Sequence, residues 1–366
     1  MRNLFFVHTP VQMYIAQQLI HQEHLHHNIL LYGYIDNNKH FVDTYNLLKI
    51  DSIWEKSIFF ENLPSCVDLT LRRPITCFAS IINNVRKLDS VIKNENIDNI
   101  YIGDIDNIGY QFLMFYYNGK VKVNIYEEGT SHYSYKNRIP YKRRFQALQE
   151  CVLDVLFYKP LFGFEFAKYW YREGDYKALP MDSRYSILPG YNNESFDRLL
   201  TIDSTFQSHQ LMEYLSEEIE NVSKHSNVCF LITSKIYEHQ EEHLRKERYS
   251  AYIETINSFA ETIPKGTLVI VKLHPREGQD VATDVGNIFK NHGLSVYFLS
   301  KKISIPAEIF LQVLKPTRMT VFMNSTSIYN GYMYPKCDIN DLIFDFFDIC
   351  KKRAYYIDDL LSICNN

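Results

Sequence analysis

Short apolar runs alternate with stretches of helical period along most of the chain. Leu4 to His8 reads as a buried strand, closed by Thr9-Pro10. From Val11 to Leu25 the positions Val11, Ile15, Ala16, Leu19 and Leu25 recur at the spacing of one helix face. Pro10 suits the first turn of that helix, where its missing N–H leaves no hydrogen bond unmade. Ile29 to Tyr34 then supplies a second strand and completes a βαβ opening. Further strands are predicted at Ile100 to Ile102 and Val121 to Tyr126, with a helix over Ile81 to Asn94. After a polar, acidic stretch carrying Glu213, Glu217, Glu218 and Glu220, the pattern restarts. Val228 to Thr233 begins a second α/β unit, followed by a helix and by strands at Leu268 to Leu273, Leu294 to Leu299 and Met319 to Met323. Strands alternating with helices predict parallel sheets, so the expected architecture is two Rossmann-like halves in tandem.

Length supports that division, because 366 residues exceed one typical domain. The boundaries expected are 1–220, 221–350 and a last helix at 351–366 packing back toward the first domain. A net charge of −4 gives no global reason to expect a nucleic-acid partner. Seven scattered cysteines without CxxC spacing support neither a zinc site nor a disulfide framework, and fit a reducing cytoplasm. The N-terminus is read as a strand and not a signal peptide, and no apolar run is long enough for a membrane span. Aromatic residues reach 15%, more than a core needs, and such side chains also suit sugar faces and membrane interfaces. Between 136 and 172 a basic group (Lys136, Arg138, Lys142, Arg143, Arg144) precedes an apolar stretch including Leu153, Phe157 and Phe162. That pattern fits either peripheral contact with anionic lipid or a buried helix with a solvated basic edge.

In open α/β sheets ligands sit beyond the carboxyl ends of the strands, and three polar clusters occupy such positions. Glu127-Glu128-Gly129 follows the strand ending at Tyr126, with Thr130-Ser131 beyond. Adjacent carboxylates of an extended chain point to opposite sides, so one of the two faces a ligand and can act as a general base. Glu127 is the first choice, and Glu128 the alternative. Gly129 lets the backbone turn sharply; the alternative for the whole cluster is a solvated acidic turn. Lys272-Leu273-His274-Pro275-Arg276 ends another strand, where an imidazole among cations suits a phosphate. A strand-end histidine capping a carbonyl would look the same. Asn324-Ser325-Thr326-Ser327 follows a third strand and forms either an anion-binding turn or a plain helix N-cap. Two weaker sites follow from position alone: Thr233-Ser234 at a strand end, and Asp104 in an Asx-rich turn. His21, His24, His26 and His27 lack acidic partners at ligand spacing, so no metal site is expected.

Taken together these clusters resemble the bacterial sialyltransferases, and most closely glycosyltransferase family 52, which acts on lipooligosaccharide and some capsular glycans. Those enzymes carry acidic-acidic-Gly, His-Pro and Ser/Thr-Ser/Thr motifs in this order, matched here by Glu127-Glu128-Gly129, His274-Pro275 and the hydroxyls at 325–327. They also commonly show a Thr-Pro-x-Gln segment after the first strand, seen here as Thr9-Pro10-Val11-Gln12, and a Glu shortly after a Pro, as in Pro306-Ala307-Glu308. The resemblance spans most of the chain and implies a GT-B fold, two Rossmann-like domains facing a central cleft. It implies inverting transfer of sialic acid from CMP-sialic acid to an oligosaccharide or glycolipid acceptor, a terminal galactoside first, without a metal or other cofactor. By the same resemblance Glu127 or Glu128 is the base, and His274 meets the departing phosphate. Ser325, Thr326 and Ser327 bind that phosphate, and Glu308 the ribose or cytosine. Thr9 and Gln12 lie on the cleft side and Lys272, Pro275 and Arg276 on the donor side, where topology alone adds Thr233 and Ser234. A cytoplasmic enzyme at the inner face of the membrane, monomer or homodimer, is the expected setting. Another GT-B transferase with a different nucleotide sugar, or a non-catalytic glycan-binding module, are the competing readings.

Overall fold

The computed structural model describes residues 1–35, 41–63, 74–103, 108–127, 155, 159–163, 181–189, 197–239, 241–274, 277–299, 305–322 and 324–352. The chain divides into two compact units, Met1–His209 and Gln210–Asn366. The division falls before the expected boundary at 220, because the acidic stretch forms two short helices, His209–Tyr214 and Ser216–Ser223, that lead into the second sheet. Of the expected C-terminal helix, 353–366 lie outside the described residues.

The first unit carries a seven-stranded parallel sheet. Its strands are β1 (Asn3–Val7), β2 (Asn28–Ile35), β3 (Lys56–Leu63), β4 (Asn99–Ile102), β5 (Lys122–Tyr126), β6 (Ser183–Ser186) and β7 (Asp197–Leu199), in spatial order β3-β2-β1-β4-β5-β6-β7. Every residue of β1 is buried, as a central strand covered by helices on both faces requires. Leu4 and Phe6 enter one core with Ile29, Ile100 and Ile125. Phe5 points the other way, stacked on Tyr101 at a centroid distance of 4.4 Å. Order reverses between β1 and β4, which places the ends of β1, β4 and β5 side by side at the switch point of the sheet.

The second unit repeats the plan with five parallel strands: β8 (Val228–Ile232), β9 (Leu268–Lys272), β10 (Ser295–Phe298), β11 (Arg318–Val321) and β12 (Asp338–Asp341). Their order is β10-β9-β8-β11-β12, so the switch point lies between β8 and β11. The helices Glu242–Thr262, Gln279–Asn291 and Ile343–Lys352 share one core with the sheet, built on Tyr252, Ile256, Phe289 and Phe346. Two Rossmann-like α/β domains in tandem are therefore present, the domain composition of a GT-B protein.

Candidate functional site

At the end of β1 the chain turns directly into the helix Pro10–Gln22. Thr9 is its N-cap, with an extended backbone and a side chain that accepts from the Gln12 N–H at 3.2 Å. Gln12 is fully buried. Its Oε1 accepts from the His8 N–H at 2.8 Å and from the Tyr110 hydroxyl at 2.9 Å. Tyr110 also meets His8 Nδ1. Burial pushes the His8 imidazole down to about 3, so the ring stays neutral in the fold. Gln12 lies so close to Gly103, just past β4, that a Cβ there would stand 2.7 Å from Gln12 Cγ. The strand-end turn is thus braced by its own side chains, and Gln12, expected to touch a ligand, holds the turn.

At the end of β5, Glu127 retains 1% of its surface. Its Oε2 accepts the Ile187 N–H at 2.6 Å, and its own N–H donates to the Tyr185 carbonyl at 3.0 Å. The carboxylate is turned inward and fastens β5 to the segment after β6. Glu128, Gly129 and Asp104 lie outside the described residues.

Parallel topology sets the carboxyl ends of β9, β8 and β11 next to one another, and the donor-side clusters occupy all three. The His274 N–H is shared between Thr233 Oγ1 at 2.8 Å and Glu277 Oε2 at 2.9 Å, while the Glu277 N–H returns to the His274 carbonyl at 3.0 Å. Thr233 donates its hydroxyl to the same carboxylate. The other oxygen of Glu277 accepts from the Tyr252 hydroxyl at 3.4 Å. Burial above all, and then the Glu277 charge, raises the hydroxyls of Tyr252 and Tyr237 well above the ordinary phenol range, so both remain protonated donors. Glu277 is itself buried. It locks the loop that presents His274, and position alone did not single it out. The available signal was a carboxylate three residues after a strand-end histidine, where it can close a turn onto the histidine backbone. Lys272 ends β9 with its carbonyl accepting the Thr233 N–H at 3.1 Å. Ser234 is half-buried, its backbone amide against Tyr252. Pro275 and Arg276 lie outside the described residues.

After β11 the turn winds into one short 3₁₀ segment, Ser325–Tyr329, whose cap is Asn324, accepting from the Thr326 N–H at 2.9 Å. The hydroxyls at 325–327 separate in role. Thr326 is buried and donates to Glu308 Oε1 at 2.6 Å, while Tyr334 donates to its carbonyl at 2.6 Å. Ser327 donates to the Asn324 carbonyl at 2.7 Å. Ser325 is exposed. Glu308 sits in the first turn of the helix Ala307–Leu314, where a carboxylate complements the helix dipole. Two expected donor residues, Glu308 and Thr326, are thereby brought into direct contact.

Among the described residues no cluster of three His, Cys, Asp or Glu side chains could hold a metal ion. His21 and His27 pair instead with Asp203 and Glu55 at the surface. No described helix is long and apolar enough to cross a membrane. The segment 136–172 lies outside the described residues except for 155 and 159–163.

No curated protein matches the chain. Solved structures similar to it include a sialyltransferase from Photobacterium damsela, 14% identical, covering 92% of this chain and 73% of its own, with a TM-score of 0.48. A putative UDP-N-acetylglucosamine 2-epimerase from Listeria monocytogenes is 11% identical, covering 96% of this chain and 89% of its own, with a TM-score of 0.49. The sequence profile of the alpha-2,8-polysialyltransferase (POLYST) family matches residues 3–338, nearly the whole chain. That match supports the sialyltransferase resemblance at the level of the broad class and does not speak for family 52 in particular. The chain belongs to the alpha-2,8-polysialyltransferase family.

Proposed function

We propose that the protein transfers sialic acid from CMP-sialic acid to a sugar hydroxyl of a bacterial surface glycan. The observation that carries this reading is the family match over residues 3–338. The family's name makes a terminal sialic acid the first acceptor to test, ahead of the galactoside expected from the motifs. In this reading the second unit holds the nucleotide sugar. His274, positioned through its backbone by Thr233 and Glu277, supports the departing phosphate, with the Lys272 and Arg276 cations close in sequence and Ser325 after β11, two strands along the sheet. Glu308, fixed by Thr326, meets the ribose or cytosine.

The first unit supplies the base. Glu127 is occupied by the Ile187 amide, which leaves the second carboxylate of the motif for the chemistry. We therefore assign the base to Glu128, and to Glu127 the role of holding the strand end in place. Glu128 removes the acceptor proton, the acceptor oxygen attacks the anomeric carbon, and CMP leaves from the opposite face with inversion. Hydrogen-bond donors and cations stabilise the charge on the leaving phosphate, so transfer needs no metal.

Incubation with CMP-sialic acid and, in parallel, with UDP-sugars, in EDTA, tests donor class and metal dependence together. CMP release that rises with a sialoside acceptor is expected. Turnover of a UDP-sugar alone, or activity lost in EDTA and restored by magnesium, would refute the reading.

A further inference from the structure

The helix Glu242–Thr262 turns a stripe of Arg248, Tyr252, Thr255, Ile256 and Phe259 toward the sheet. The first of these is a cation. Arg248 retains 3% of its surface, and its Nε is buried with no hydrogen-bond partner. Among the described residues no hydrogen bond or ion pair reaches its guanidinium. Buried charges are as a rule paired, because desolvation without a partner is costly. Lys and Glu residues elsewhere on the same helix are solvated, and Lys246 pairs with Glu242 at the surface.

Position says what the unpaired charge faces. The helix runs back from the carboxyl edge of the parallel sheet, so its N-terminal part overhangs that edge. Tyr252 marks the level of the edge: its hydroxyl reaches Glu277, and its ring packs on Phe322, just past β11, at 4.7 Å between centroids. Arg248 lies on the same face four residues earlier, about 6 Å further out along the axis. The helix follows β8, so Arg248 belongs to the end of the sheet from which the loops after β8, β9 and β11 leave, the loops that carry Thr233, His274 and the Ser325–Ser327 turn. Two carboxylates at that edge are engaged elsewhere: Glu277 by His274, Thr233 and Tyr252, and Glu308 by Thr326.

We infer that Arg248 is a donor-binding residue that receives an oxyanion of the nucleotide sugar. This rests on the donor reading given above and adds a residue outside all of the sequence motifs. A guanidinium left unpaired in the fold keeps its planar fork of N–H donors for the ligand, and oxyanion recognition is what that fork suits. The oxyanion is the phosphate of the nucleotide or the carboxylate of the sialic acid, two sources of one chemistry.

The test compares the wild type with R248Q in titrations with CMP and with cytidine, and in saturation kinetics with CMP-sialic acid. R248Q should weaken CMP binding about 10- to 100-fold, the scale of a hydrogen-bonded charge, and leave cytidine binding unchanged. Unchanged CMP binding with a KM for CMP-sialic acid raised by the same factor would assign the guanidinium to the sugar carboxylate instead. Folded R248Q that binds both like the wild type overturns the inference. A second readout needs no donor: R248M, which replaces an unpaired buried cation by an apolar chain, should melt higher than the wild type. Melting several degrees lower would mark Arg248 as an ordinary structural residue and overturn the inference as well. A wild type that binds neither CMP nor CMP-sialic acid refutes the donor reading itself, while the R248M melting temperature still reports whether the cation is unpaired.

Discussion

Two adjacent carboxylates, Glu127 and Glu128, differ because one is held by a backbone amide. A glutamate that accepts the Ile187 N–H at 2.6 Å and is almost wholly buried is poorly placed to take a proton from a sugar. E128Q should therefore lower turnover by about 10²- to 10⁴-fold with donor affinity retained. E127Q should lower the melting temperature and keep most of its turnover once folded. Steady-state rates with melting curves distinguish them, and the reverse ranking would return the base to Glu127. His8 gives a second residue-scale expectation. The fold keeps it neutral down to about pH 3, whereas an unfolded histidine binds a proton below about 6.5. The unfolded state then holds more protons between those values, so stability is full above pH 6.5 and falls as pH drops toward 3. Between pH 6.5 and 4.5 this group should cost on the order of 2 kcal/mol. Urea unfolding of wild type and H8Q at both pH values isolates the term; equal losses in the two proteins would contradict it.

Elements rather than single residues set the strand-end geometry, and close packing there has measurable consequences. Gln12 fills the space beside Gly103 and is itself fixed by His8 and Tyr110, so it has nowhere to retreat. G103A should destabilise the first unit by about 1–3 kcal/mol, read as a lower urea midpoint. An unchanged midpoint would mean that Gln12 swings clear. In the second unit, Thr233 joins β8 to the His274 loop. T233V, which keeps the shape and removes the hydroxyl, should lower kcat about 10-fold with KM nearly unchanged, and T233S should restore it. Loss of KM alone would make Thr233 a ligand contact. The elements legible in the sequence are those with strong apolar patterns: β1, β2, β4, β5, β8, β9, β10 and β11. The strands that escaped are β3, β6, β7 and β12. Ser183–Ser186, Asp197–Leu199 and Asp338–Asp341 are short and largely polar: β7 and β12 are edge strands, and β6, though mostly buried, has no apolar period to read. The motif residues were visible because strand ends in an α/β sheet are marked by a change from apolar to polar. Glu277 and Tyr252 were not, because they meet each other and Thr233 from separate elements, nor was Arg248, whose burial is set by the packing of its helix.

At the scale of the molecule, two parallel sheets each bring polar residues to a switch point. The first sheet ends β5 on a buried glutamate, Glu127, and the second offers a backbone-locked histidine, a glutamate–threonine pair and an unpaired arginine. The proposed reading assigns acceptor activation to the first unit and nucleotide-sugar binding to the second, and the family match supports sialyl transfer in general. The chain divides after His209, whereas the sequence pattern sets the boundary at 220: the helices at 209–223 carry acidic residues that read as linker. The most direct test of sialyl transfer is the product formed from CMP-sialic acid and a short α-2,8-linked oligosialic acid. Chromatography should show acceptors lengthened by sialic acid residues as CMP accumulates, with NMR giving an α configuration at each new linkage. An acceptor of unchanged length, with CMP-sialic acid intact and a UDP-sugar consumed in its place, would contradict it.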